Sequence, residues 1–188
     1  MRALTAYQDW ARKIRESDEK AFQELFMDSY NPLYGYANSF VRDGEVARDI
    51  LQDVYAHLWN IRDRLDDEKS LKALLYRMTR NRCINQIGAK KTSRIDDLPV
   101  SEQPVADSET DDENDYEEPE LKQKLDEWIE TLPDRQREAF ELSRFEGLDH
   151  HEIAAVMECA PRTVNNHIVS ALHTLRNHLE QWRNSQTT

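Results

Sequence analysis

Between residues 96 and 120 the chain carries twelve acids and not one Lys or Arg. Three prolines fall within residues 92–119, and no helical period runs through them. A stretch this charged repels itself, and its few apolar side chains cannot offset the entropy cost of ordering. It therefore reads as a disordered, extended linker. That linker divides the 188 residues into two parts, each of a size to fold as a small domain. The expected division is an N-terminal domain over 1–95, an acidic linker over 96–119 and a C-terminal domain over 120–188.

The same stretch changes the meaning of the net charge. The chain has 37 acids, 25 Lys and Arg, and a formal charge of −12. Outside the acidic stretch, 25 acids face 25 bases. Residues 1–95 are mildly basic, with 17 bases and 14 acids, and residues 121–188 are mildly acidic, with 8 and 11. A polyanionic partner is thus not excluded, because each part is judged by its own charge.

Apolar residues recur every three or four positions and glycine is rare, with four in the chain, so both domains are expected to be all-α. Ala21, Phe22, Leu25 and Phe26 start one stripe, and Leu33, Ala37, Phe40 and Val41 continue it. Pro32 between them is expected to break or kink that helix, because it lacks an N–H and crowds the preceding turn. A turn is expected at 42–44. Ala47, Ile50, Leu51, Val54, Tyr55 and Leu58 form the cleanest stripe. A polar loop follows over 60–70, with Ser70 placed to cap the next helix. That helix carries Leu71, Leu74, Leu75, Met78, Ile84 and Ile87.

In the second part, Leu121, Leu125, Trp128, Ile129 and Leu132 form a stripe stopped by Pro133. A helix over 134–146 ends at Gly147, which tolerates a left-handed cap. Asp149 and Glu152 have capping-box spacing. A short helix runs through Met157, and Pro161 opens a long one with Val164, Ile168, Ala171, Leu172, Leu175 and Leu179 inside. A short helix, a tight turn and a longer helix with a polar leading end is the pattern of a helix-turn-helix, whose second helix enters the major groove.

Other functions lack their signatures. Cys83 and Cys159 lie in different parts and read as free thiols. His150, His151, Cys159 and His167 match no usual zinc spacing, so no metal site is expected. No nucleophile–base pattern, carboxylate pair or Gly-rich phosphate loop stands out, so neither an enzyme nor a cofactor is expected. No apolar run is long enough to span a membrane and no signal-peptide pattern opens the chain, which predicts a cytoplasmic protein without membrane insertion.

Five segments together resemble the extracytoplasmic-function (ECF) sigma factors of bacterial RNA polymerase. LPDRQREAFELSRFEGL at 132–148, EIAAV at 152–156 and RTVNNH at 162–167 look like that family's C-terminal domain. DILQDVYAHLW at 49–59 looks like its polymerase-binding helix, and LLYRMTRNRCIN at 74–85 like its −10-reading helix. The resemblance implies that the first domain binds core RNA polymerase and opens the −10 element of promoter DNA. The second domain would grip the polymerase flap and contact the −35 element, and the linker would pass near the active site. An anti-sigma factor, or another regulatory or recruiting protein, is the expected further partner, because the chain shows no sensor domain.

The resemblance also distributes roles. Asp49, Gln52 and Asp53 share one helix face by spacing, and with Trp59 they are expected at the polymerase. Seven bases, from Lys72 to Arg94, run with no acid between Leu71 and Ile95 and can track phosphates. Among them Arg77, Arg80, Lys90 and Lys91 are expected at −10 DNA, with Asn81 and Asn85 four residues apart as readers of base edges. The loop over 62–70 matches the place where the family captures a flipped −10 base. Arg162, Thr163, Asn165, Asn166, His167 and Ser170 are the expected −35 contacts.

Two departures stand out: Glu158 occupies the turn where the family often has Gly, and Ala160 the position of its usual hydroxyl cap. Two rival functions stay open at this point. One is an ordinary helix-turn-helix regulator that never joins polymerase, and the other is a sigma relative that has lost DNA binding.

Overall fold

The computed structural model describes residues 2–93 and 119–186, with side chains within 6–89 and 120–185. These residues form two compact, purely helical units. Most of the acidic stretch, including the expected linker up to Glu118, lies outside the described residues.

The first unit contains α1 (Arg2–Arg15), α2 (Glu19–Val41), α3 (Gly44–Asn60), a 3-10 turn (Arg62–Arg64) and α4 (Leu71–Ser93). Asp18 caps α2 by accepting from the amides of Lys20 and Ala21 at 2.9 and 3.1 Å. Contrary to expectation, Pro32 does not break this helix, which runs through it for 23 residues. A proline removes one backbone bond and crowds the carbonyl four residues back. Pro32 itself is exposed, while Leu25, Ser29, Leu33, Tyr36 and Ala37 are buried on the face that packs on α3 and α4. Tertiary burial on both sides of the proline outweighs its local cost.

The expected turn at 42–44 is tighter than read. Arg42 closes α2 in the left-handed conformation at φ 49, and Asp43 caps α3 by accepting from the Val46 amide at 3.2 Å. Gly44 is already helical. A Cβ there would lie 2.7 Å from the Tyr34 hydroxyl, so a larger residue would have to displace the tip of that side chain.

All six residues of the α3 stripe are buried. Tyr55 brings a hydroxyl into this core and shares a 2.8 Å hydrogen bond with Ser29 Oγ, which satisfies the buried polar group. Burial pushes the Tyr55 phenol up to about 12. Ser70 caps α4 as expected, accepting from the Ala73 amide at 3.1 Å.

The face of α4 differs from the expected one. Leu71, Leu75, Tyr76, Thr79, Arg80 and Cys83 are buried, whereas Ile84 is exposed. Nearly every side of this helix offers an apolar residue, so periodicity alone does not choose the inner face. The Tyr36–Tyr76 edge contact at 5.0 Å and Cys83 Sγ against the Ala37 carbonyl lock it onto α2. The Cys83 thiol is free, and burial pushes it up to about 12.

The second unit contains α5 (Pro119–Glu130), α6 (Asp134–Arg144), α7 (His150–Met157) and α8 (Pro161–Gln186). Ile129, Leu132, Phe140, Ala171 and Leu175 form a core joining α5, α6 and α8. Helix α6 ends three residues before Gly147, which takes the left-handed conformation at φ 66. The Asp149–Glu152 capping box is formed in both directions.

Candidate polymerase and nucleic-acid interfaces

On α3, Asp49, Gln52 and Asp53 are all exposed, opposite the buried stripe. Amphipathic packing explains this: the apolar face is held by α2 and α4, so the polar face must point outward. Asp53 Oδ2 accepts from Arg82 Nη1 of α4 at 2.6 Å. Asp49, Asp53, Arg82, Asn85 and Gln86 line one open cleft of about 420 Å³ between α3 and α4. The fold thus brings the expected polymerase face and one expected −10 reader, Asn85, to a shared surface. Arg82 was counted in the basic run but not singled out, and only the tertiary pairing reveals its place.

Trp59 is placed differently from the carboxylates. It is half-buried, edge-on to Phe22 at 5.0 Å, and covered by the Arg62 guanidinium at 4.6 Å. Its ring is engaged in packing near the end of α3, away from the cleft.

The expected −10 residues divide. Arg77 and Asn85 are exposed and Asn81 is half-buried. Arg80 is 4% exposed, so it does not face solvent as a phosphate track requires. It falls on the same α4 face as Tyr76, Thr79 and Cys83, which the contact with α2 and α3 turns inward. Lys90 and Lys91 lie on the helical backbone of α4, but their side chains lie outside the described residues, as does Arg94.

In the second unit, α7, a short turn and α8 form the expected helix-turn-helix. Glu158 adopts the left-handed conformation at φ 53, at the position where a glycine would be less strained. Ala160 supplies no side-chain cap. Its carbonyl instead accepts from the amides of Thr163 and Val164 at 2.8 and 3.2 Å. Val164, Ile168, Ala171 and Leu175 hold α8 to the core. On the opposite face Arg162, Asn165, Asn166 and Ser170 are exposed, while Thr163 and His167 are half-buried at its margins. Val169 joins the exposed face at 56% exposure. Sequence reasoning passed over it because a valine reads as core, yet its spacing of four from Asn165 and three from Asn166 was the available signal.

Helix α6, which packs on α8, carries an unusual carboxyl. Burial pushes Glu141 up to about 7, opposed by Arg137 and reinforced by Glu138, Glu146 and Glu130. Its ordinary value is 4.5, so between the two the folded unit holds a proton that the unfolded chain has released. The stability of the second unit is therefore expected to fall as pH rises from 4.5 through about 7. Glu141→Gln should raise its melting temperature at pH about 8 and give no gain at pH about 5. Identical pH profiles for the two proteins in thermal melts would rule this out.

Among the described residues no cluster of three or more His, Cys, Asp or Glu is arranged to hold a metal ion. No described helix is long and apolar enough to cross a membrane.

Both units have counterparts in known proteins. Sigma-70 region 2 matches residues 25–92, which span the α3–α4 cleft, and Sigma-70, region 4 matches residues 122–175, which include the helix-turn-helix. The chain is 30% identical over 176 residues to the ECF RNA polymerase sigma factor RpoE of Cereibacter sphaeroides, covering 91% of this chain and 95% of that one. It is 29% identical over 178 residues to the RNA polymerase sigma-H factor of Pseudomonas aeruginosa, covering 89% and 92%. Among solved structures it is similar to the sigma factor RpoE of Bartonella quintana, crystallised with the anti-sigma factor NepR. That likeness has a TM-score of 0.68 and 25% identity, over 86% of this chain and 98% of the other. With two regions matched in order, and with relatives aligned over nearly their whole length, the chain belongs to the ECF sigma factors, non-enzymatic subunits that direct RNA polymerase to promoters.

Proposed function

We propose that the two units divide promoter recognition between them, in the cytoplasm, with polymerase docking and −10 reading on the first and −35 contact on the second. The observation that carries this is the α3–α4 cleft, where Asp49 and Asp53 stand beside Asn85. Core polymerase takes the carboxylate face of α3. Asn85 and Asn81 then meet base edges that the polymerase-bound DNA presents, since an Asn amide can both donate to and accept from adenine. Arg77 serves the phosphates.

The exposed face of α8 supplies the −35 contacts. Asn165 and Asn166 suit adenine, Arg162 suits guanine or phosphate, and Val169 suits the methyl group of thymine. The second unit has few cations, and non-specific affinity comes mostly from phosphate neutralisation. Its DNA contact therefore depends on tethering to polymerase, which raises its local concentration. An anti-sigma protein, of the kind bound to the Bartonella quintana relative, is the partner proposed to hold the chain inactive.

The test is transcription by core polymerase reconstituted with this chain, on promoters varied at each −10 position. Asn85→Ala should cost about 1–3 kcal/mol of discrimination at one position and leave the others alone. An equal loss on every promoter would show that Asn85 reads no base. DNA binding without polymerase-dependent transcription would favour an ordinary helix-turn-helix regulator. Polymerase binding without DNA contact would mark a sigma relative that has lost its promoter.

A further inference from the structure

The loop joining α3 to α4 is held from outside by the end of α1. Arg15, the last residue of α1, donates from Nη1 to the Leu65 carbonyl at 3.4 Å and to Asp67 Oδ1 at 3.0 Å. Two residues further on, Ser17 stands at φ 65, a left-handed conformation that penalises any residue with a Cβ. That conformation closes α1, with the Ser17 and Asp18 amides donating to the Ile14 and Lys13 carbonyls at 2.8 and 3.1 Å, and Ser17 Oγ accepts from Arg62 Nε at 2.9 Å. Arg62 also donates to the Trp59 carbonyl at 2.8 Å and covers the Trp59 ring. Leu65 is buried at 6% exposure. The loop is thus pinned at Arg62 and again at Leu65 and Asp67, and Asp63 and Arg64 between the first two of these are exposed.

Two pins three residues apart leave the intervening tip little freedom. A tip that captures an extruded base gains from this, because ordering the loop at the moment of binding would subtract from affinity and from the difference between bases. Packing alone would bury Leu65. It would not require an arginine bridging to the loop from α1, or a serine hydroxyl accepting from Arg62.

We propose that Arg15 and Ser17 are positioning residues for promoter recognition, pre-ordering the α3–α4 loop so that its Asp63–Arg64 tip presents one fixed surface to an unpaired promoter base. This rests on assigning that loop to base capture.

The experiment uses reconstituted holoenzyme and promoters carrying each base at each −10 position. It compares Arg15→Ala, Arg15→Lys and the tip variant Asp63→Ala/Arg64→Ala. Arg15→Ala is expected to keep core-polymerase affinity within about twofold, since the pins lie away from Asp49 and Asp53. It should lower open-complex formation on the preferred promoter by about fivefold to tenfold and flatten the preference at one −10 position. Hydrogen exchange of the amides at 62–67 should accelerate in the same variant. Arg15→Lys keeps a cation opposite Asp67 and should recover most of the preference. The tip variant should alter preference at that same position. A tip variant that changes preference while Arg15→Ala does not would overturn the positioning role and leave the loop assignment standing. If neither changes it, the loop assignment itself fails and the positioning role falls with it. An equal loss of opening on all bases in Arg15→Ala would reduce the contact to ordinary packing and overturn the proposal.

Discussion

Reversing Asp49 and Asp53 to Lys is expected to weaken binding to core polymerase by about 2–5 kcal/mol, the usual loss when one partner of a desolvated charge contact is removed. The two positions are not equivalent. Asp53 already accepts from Arg82 at 2.6 Å, so a lysine there sets two cations side by side across α3 and α4. That pair is well exposed, and such pairs contribute about 0.2–1 kcal/mol. Asp53→Lys therefore mixes a small stability loss with the affinity loss. Asp49 is exposed on the same face, so Asp49→Lys gives the cleaner measurement. Helicity and melting temperature should stay at the wild-type values while a fluorescence titration with core enzyme shows the loss. Wild-type affinity for Asp49→Lys would remove this face from the polymerase interface.

The other side of the same helix should behave oppositely. Leu51 is fully buried between α3 and its neighbours, and Leu51→Ala is expected to destabilise the first unit by about 2–5 kcal/mol. The lost burial and the cavity left behind both contribute, because α2 and α4 pack on α3 and cannot collapse fully into the space. In urea the midpoint should fall with little change in slope, since the surface exposed on unfolding is nearly the same. Polymerase affinity per folded molecule should be unaffected. A variant that unfolds normally but fails to bind polymerase would mean that Leu51 shapes the exposed face and not only the core.

The contrast between these substitutions is legible in the sequence. A clean stripe over Ala47, Ile50, Leu51, Val54, Tyr55 and Leu58 names both faces of α3 at once, because a helix with one apolar side has only one way to sit on a core. The capping box at Asp149 and Glu152, the left-handed Gly147 and the Ser70 cap were equally readable, since caps are local and involve residues within a few positions of each other.

Helix α4 was not readable in this way. Its apolar residues surround it, and the sequence favoured a face with Ile84 inside and Arg80 outside, whereas packing against α2 turned Arg80 inward and left Ile84 exposed. Pro32 failed as a break for a related reason. A local penalty was set against burial on both sides of it, and burial depends on partners elsewhere in the chain.

What the sequence determined by itself is therefore most of the helices, though not α1, several of the caps, the two-part division expected on either side of the acidic stretch, and the family. Each of these is written in neighbouring residues or in motif order. What only the tertiary structure decided is which residues from distant segments meet: Arg82 with Asp53, Asn85 beside Asp49, and Arg15 and Ser17 on the α3–α4 loop. Most of these meetings join separate helices, and helical period fixes only the angle of a side chain about its own axis. The direction each helix faces is set by how all of them pack together.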